Sequence, residues 1–124
     1  MRRLTALAAL LATVLLGGCA ADGPPLAGFN GGQWAVVSYY NRHAWEKGAS
    51  CTSPEMRVTG WRVLDQTPER TIVEVRYHFH DRSVDDGDRL VSRCSDWGVR
   101  QFTLVPTGDG RAVVRAMTGP QRPR

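Results

Sequence analysis

The residues with chemical potential are few, and their spacing is uneven. His78 and His80 stand two apart, with Asp81 directly after them. On a strand, residues i and i+2 share a face, so the two imidazoles are spaced as a pair of metal ligands would be. Glu74 and Arg76 fall on the same face, which is the pattern of the solvated side of an amphipathic strand. The next run, DRSVDDGD, gathers Asp81, Asp85, Asp86 and Asp88 around Gly87. It lacks the alternating ligand spacing of a calcium loop and reads as a polar turn. Tyr39, Tyr40 and Tyr77 are the phenols available to an interior site. The chain has no nucleophile elbow, zinc-binding helix motif or glycine-rich phosphate loop. The apolar faces of the readable strands carry no carboxylate. The expectation is no catalytic residue, no metal, no cofactor and no enzyme activity.

Three cysteines remain to be assigned: Cys19, Cys51 and Cys94. Met1-Arg2-Arg3 is a short positive start, and Leu4 to Leu16 is an apolar run of 13 residues. A bilayer span needs about 20 residues, whereas a signal-peptide core needs fewer. Leu16-Gly17-Gly18-Cys19 then resembles the lipobox of bacterial lipoproteins. That resemblance implies cleavage before Cys19, a diacylglycerol on its thiol and an acylated amine. Ala20 follows the cysteine where an aspartate would favour inner-membrane retention, so the resemblance implies the periplasmic face of the outer membrane. In that oxidising compartment Cys51 and Cys94 form an even pair, expected as a disulfide. Two free thiols or a metal pair are the alternatives.

Composition narrows the partners. The whole chain carries 16 basic and 12 acidic residues, a formal charge of +4. Loss of Arg2 and Arg3 on processing would leave 14 against 12. The remaining charges are interspersed, which excludes nucleic acid as the expected partner despite the basic pI.

These residues need elements to position them. Residues 1–18 read as the signal, 19–32 as a Gly/Pro/Ala tether, 33–118 as one folded domain and 119–124 as a disordered tail. A helix is expected from Asn30 to Gly48, capped by Asn30 with Gln33 as partner and closed by Gly48. Its apolar stripe is Trp34, Val37, Asn41 and Trp45, widened by Val36, Tyr40 and Ala44. Strands are expected at 56–65, with a bulge at Gly60, and at 71–80. In the second, Val73, Val75, Tyr77 and Phe79 face the core and Glu74, Arg76, His78 and His80 face out. Further strands read at 89–95, at 98–106 and after a TGDG hairpin turn.

The fold class is therefore α+β, one N-terminal helix packed on a curved antiparallel sheet of four to five strands. This order of elements resembles cystatin-like and NTF2-like folds, and the whole resembles small lipoproteins of Gram-negative bacteria. The expected function is binding of an envelope protein partner by a domain tethered to the membrane through lipid on Cys19. Exposed Trp61 or Trp97 would favour that reading. A cavity lined by Trp34, Tyr40, Val75 and Tyr77 would favour a small apolar ligand, and an NTF2-like enzyme is a further alternative.

Overall fold

The structure is a computed structural model and describes residues 23–47, 51–84, 87 and 89–123. The lipobox with Cys19, the expected Gly48 cap, and Asp85, Asp86 and Asp88 lie outside the described residues. Among the described residues, no helix is long and apolar enough to cross a membrane.

Helix α1 (Gly32–His43) precedes four strands: β1 (Glu55–Gln66), β2 (Thr71–Val84), β3 (Leu90–Pro106) and β4 (Ala112–Met117). The strands form one open sheet in chain order, and every neighbouring pair is antiparallel. The α+β class and the alternation of β2 are as read from the sequence. Val73, Val75, Tyr77 and Phe79 are buried beneath the helix with Phe102, Leu104 and Met117. Gly60 marks a register shift on β1, where the bulge was expected.

Other elements differ from expectation. The segments at 89–95 and 98–106 are one strand of 17 residues, β3. Gly98 does not break it, because Gly98 pairs with Tyr77 across the ladder. A methyl there would meet the Tyr77 ring at 2.5 Å, so the glycine makes room for the phenol. Strand β2 runs on to Val84, which turns the start of the acidic run into strand. The helix is shorter than Asn30–Gly48. Its N-cap is Gly31, in a left-handed conformation (φ 66°) with no side-chain cap. The Asn30 N–H instead donates to the Gly110 carbonyl in the β3–β4 turn. The buried stripe is Val36, Tyr40 and Ala44, while Trp34, expected to lead the stripe, is 62% exposed. Val36, Tyr40 and Ala44, at i, i+4 and i+8, are fully buried in the core, where the Tyr40 ring packs on that of Tyr77.

Both ends of the domain are also more fixed than expected. Leu26 and Phe29 exchange backbone hydrogen bonds in a tight turn, and Leu26 is fully buried, so part of the expected tether packs into the core. The expected tail folds back along the end of α1. Trp45 N–H donates to the Pro120 carbonyl, and Arg122 N–H donates to that of His43. The Arg122 guanidinium donates to the carbonyls of Asn41, Arg42 and Thr52. The bonds to Asn41, Arg42 and His43 satisfy carbonyls that the helix C-terminus leaves orphaned. Cys51 and Cys94 are joined in a disulfide with Cα atoms 5.9 Å apart, a separation of 43 residues. Closing such a loop contributes about 4 kcal/mol in the chain-entropy view.

Candidate functional site

Two constellations of aromatic and charged side chains stand on opposite faces of the sheet. The inner one forms where α1 ends. Arg100 on β3 shares a face with Phe102 and Leu104, and its side chain is 3% exposed. Its Nε donates to the Tyr77 hydroxyl at 2.9 Å. One terminal nitrogen donates to the carbonyls of Thr118 and Pro120, the other to the Trp45 carbonyl and to Glu46 Oε1 at 3.0 Å. All the N–H donors of a guanidinium are thereby used. Glu46 Oε1 also accepts from the hydroxyls of Tyr40 at 2.8 Å and Tyr77 at 2.6 Å. The Arg100 guanidinium carbon lies 5.3 Å from the Tyr40 ring centroid, a cation–π distance.

The titration behaviour follows. Burial, reinforced by the hydrogen bond to Glu46, holds the Tyr40 phenol far above the ordinary range. Burial and the bond to Glu46 push Tyr77 up to about 12 against the opposing pull of Arg100. Burial works to lower the Arg100 pKa, but Tyr77 and Glu46 outweigh it and the net direction is up. Tyr40 and Tyr77 therefore stay neutral, and Arg100 stays cationic, near neutral pH. Chemically, the cluster joins α1, β2, β3 and the C-terminal segment around one ion pair. Its hydroxyls are committed to partners inside the protein.

The outer constellation is built by strand register. Arg57, His78 and Trp97 form one cross-strand row, and Gly60, Arg76 and Val99 form the next. Trp97 is 68% exposed and Val99 is also exposed, although β3 is an interior strand of the sheet. The Trp97 ring meets His78 edge-on at 5.0 Å between centroids. His78 Nε2 lies 2.9 Å from the Ser95 hydroxyl. Arg57, Val58, Thr59, His78 and Trp97 line a groove of about 510 Å³. It adjoins a second depression of about 260 Å³ reaching Arg76 and Val99.

The residues singled out in the sequence are distributed between these regions. Tyr40, Val75 and Tyr77 come together in the core, and Trp34 does not join them. Trp34 instead lines a small depression of about 120 Å³ with Pro24, Gln33 and Val37. His78 and His80 share the outer face with stacked rings 6.5 Å apart. Asp81 is not beside them as a ligand, since it is one residue out of phase and buried on the inner side. Its carboxylate accepts from the Ser53 N–H at 3.2 Å and lies close to the Cys51 and Cys94 sulfurs, which are bonded to each other. His80 Nε2 approaches Glu55 at 3.4 Å without hydrogen-bond alignment. Trp61 sits on the inner face of edge strand β1 and is partly exposed.

Sequence reasoning missed Arg100 and Glu46. Arg100 had a readable signal, because it is in phase with Phe102 and Leu104 on an otherwise apolar face. Asp81 had the same signal, continuing the odd-numbered series of β2. Glu46 had none, because it lies beyond the helix and reaches the cluster only through the fold.

No family model, curated protein or solved structure matches the chain.

Proposed function

We propose that the chain is an outer-membrane lipoprotein, anchored through Cys19, whose domain binds an envelope protein on the outer face of its sheet and performs no chemistry of its own. The observation that carries this reading is Trp97. A tryptophan 68% exposed on an interior strand, with Val99 exposed beside it, is the apolar anchor typical of a recognition surface. The inner cluster weighs against a small-ligand pocket and against catalysis by Tyr40 or Tyr77, since both hydroxyls are spent on Glu46. The signal-like N-terminus and the disulfide favour an exported location. A helix followed by an antiparallel meander supports grouping the fold with cystatin-like and NTF2-like domains.

A photo-crosslinking amino acid placed at Val99 in intact cells tests the reading. Position 99 should give a discrete protein adduct that is lost when Trp97→Ala is added. The same probe at exposed Arg115 on β4 should give none. Fatty-acid labelling should mark the wild type and miss Cys19→Ser. Adducts at both positions alike, or at neither, would remove the case for this face.

A further inference from the structure

The charges around the outer groove are unevenly matched. Glu74, in the row below, is already held by Arg62 at 3.0 and 3.4 Å. Glu55, in the row above, faces His80. Arg57 and Arg76 flank the groove, are exposed, and form no ion pair among the described residues. Glu74 is thus held by Arg62, Asp96 beside Trp97 pairs with Lys47, and Glu55 lies against His80; none of the three forms an ion pair with the two guanidiniums beside the exposed indole. Arg76 is also positioned. Its guanidinium lies over Gly60, where a methyl would meet a terminal nitrogen at 2.8 Å. The absence of a side chain at Gly60 leaves the planar donor edge resting on the sheet beside the groove.

We propose that this groove takes an acidic peptide segment of the partner, with carboxylates on Arg57 and Arg76 and an apolar or aromatic side chain against Trp97. The inference rests on the partner-binding reading above and adds the partner's chemistry. Guanidinium and carboxylate match as planar two-point donors and acceptors. The indole face contributes the apolar contact between them. A groove of about 510 Å³ holds side chains of a short segment. Two guanidiniums with Glu74 in the next row are too few to follow a phosphate backbone or to act as a polybasic lipid-headgroup patch.

The test uses the folded, oxidised domain and three probes read by NMR. These are acetyl-Glu-Phe-Glu-amide, its Gln-Phe-Gln counterpart, and short-chain phosphatidylglycerol below its micelle concentration. The glutamate peptide should shift the Trp97 indole N–H and the Arg57 and Arg76 Nε–H signals and leave Arg100 unmoved. The doubly substituted Arg57→Gln/Arg76→Gln domain should bind it about tenfold more weakly. Arg57→Lys/Arg76→Lys, which keeps charge and loses the fork, should fall between. Equal binding of the glutamine peptide would overturn the proposal, as would absence of any shift. Shifts caused by the lipid and not by the peptide would replace the peptide with a headgroup. If the Val99 crosslink in cells persists in the doubly substituted protein, the surface is right and the acidic chemistry is wrong. If the wild type gives no crosslink, the partner-binding reading itself fails.

Discussion

Arg100 and Arg76 are ladder neighbours on opposite faces of one sheet, with Arg100 opposite Val75 and Arg76 opposite Val99. Each guanidinium lies near aromatic residues. Arg100 is enclosed, and each of its donors meets a carbonyl, a phenol or a carboxylate. Arg76 is exposed and forms no ion pair among the described residues. The difference separates architecture from recognition. A buried charge must be saturated by its own chain, because desolvation leaves no other solution. A surface charge costs nothing to leave open, so an unmatched pair of them beside an exposed tryptophan is affordable only there, and available to a partner.

The largest effect should come from removing the enclosed arginine. Arg100→Met strands the Glu46 carboxylate and the carbonyls of Trp45, Thr118 and Pro120. Breaking a buried pair from one side costs about 3–5 kcal/mol. For a small domain that is a large fraction of total stability. Urea denaturation with the disulfide intact measures it. Arg100→Lys keeps the charge without the fork and should recover only part of the loss. A cost below about 1 kcal/mol for Arg100→Met would show that water replaces the missing donors, and the contrast between the two arginines would vanish.

Much of the sheet was legible beforehand, and the reason is local. Strand β2 alternates from Val73 to Phe79, and a period of two needs no knowledge of the rest of the fold. The helix face was less legible. Trp34 and Trp45 outweigh Val36 and Ala44 in hydrophobicity, yet the packing surface beneath the helix selects the smaller residues around Tyr40. The inner cluster was hidden because its members come from α1's end, β2, β3 and the residues after β4. From the sequence Tyr40 and Tyr77 read as pocket-lining groups, whereas in the fold their hydroxyls donate to Glu46, a residue that only tertiary structure brings near. The exposure of Trp97 was likewise undecided until β3 proved continuous through Gly98. Register then put Trp97 on the outer face.

A smaller effect separates the phenols by pH. An unfolded tyrosine ionises near pH 10, while the native state keeps Tyr40 protonated far beyond that and Tyr77 to about 12. Between these values the unfolded chain binds fewer protons than the native one, so stability falls as pH rises above about 10. Below that range the contribution is fully present. Tyr40→Phe should cost about 1 kcal/mol near neutrality through the lost hydrogen bond. It should also make the alkaline decline shallower, since a phenylalanine has no proton to release. Unfolding free energies at about pH 8 and about pH 11 compare the two slopes. Parallel declines would mean that Tyr40 titrates as a solvated phenol, and that the cluster is open to water.

The smallest effect on stability belongs to the outer face. Trp97 is mostly exposed, and its ring contact with His78 is itself at the surface. Trp97→Ala should therefore change the unfolding free energy by no more than about 0.5 kcal/mol, the range of surface substitutions away from special features. Binding of the glutamate peptide should fall by about tenfold or more, as expected when an aromatic anchor is truncated. Both readouts are needed, because the two regions share strand β3 and sit one residue apart. A stability loss near 2 kcal/mol would mean that the indole holds β2 and β3 in register by packing on His78. Trp97 would then belong with Arg100 on the architectural side. Unchanged stability with lost binding would instead assign the two faces of one strand to different tasks, with Gly98 as the point where they meet: its missing side chain seats Tyr77 inward while Trp97 projects outward.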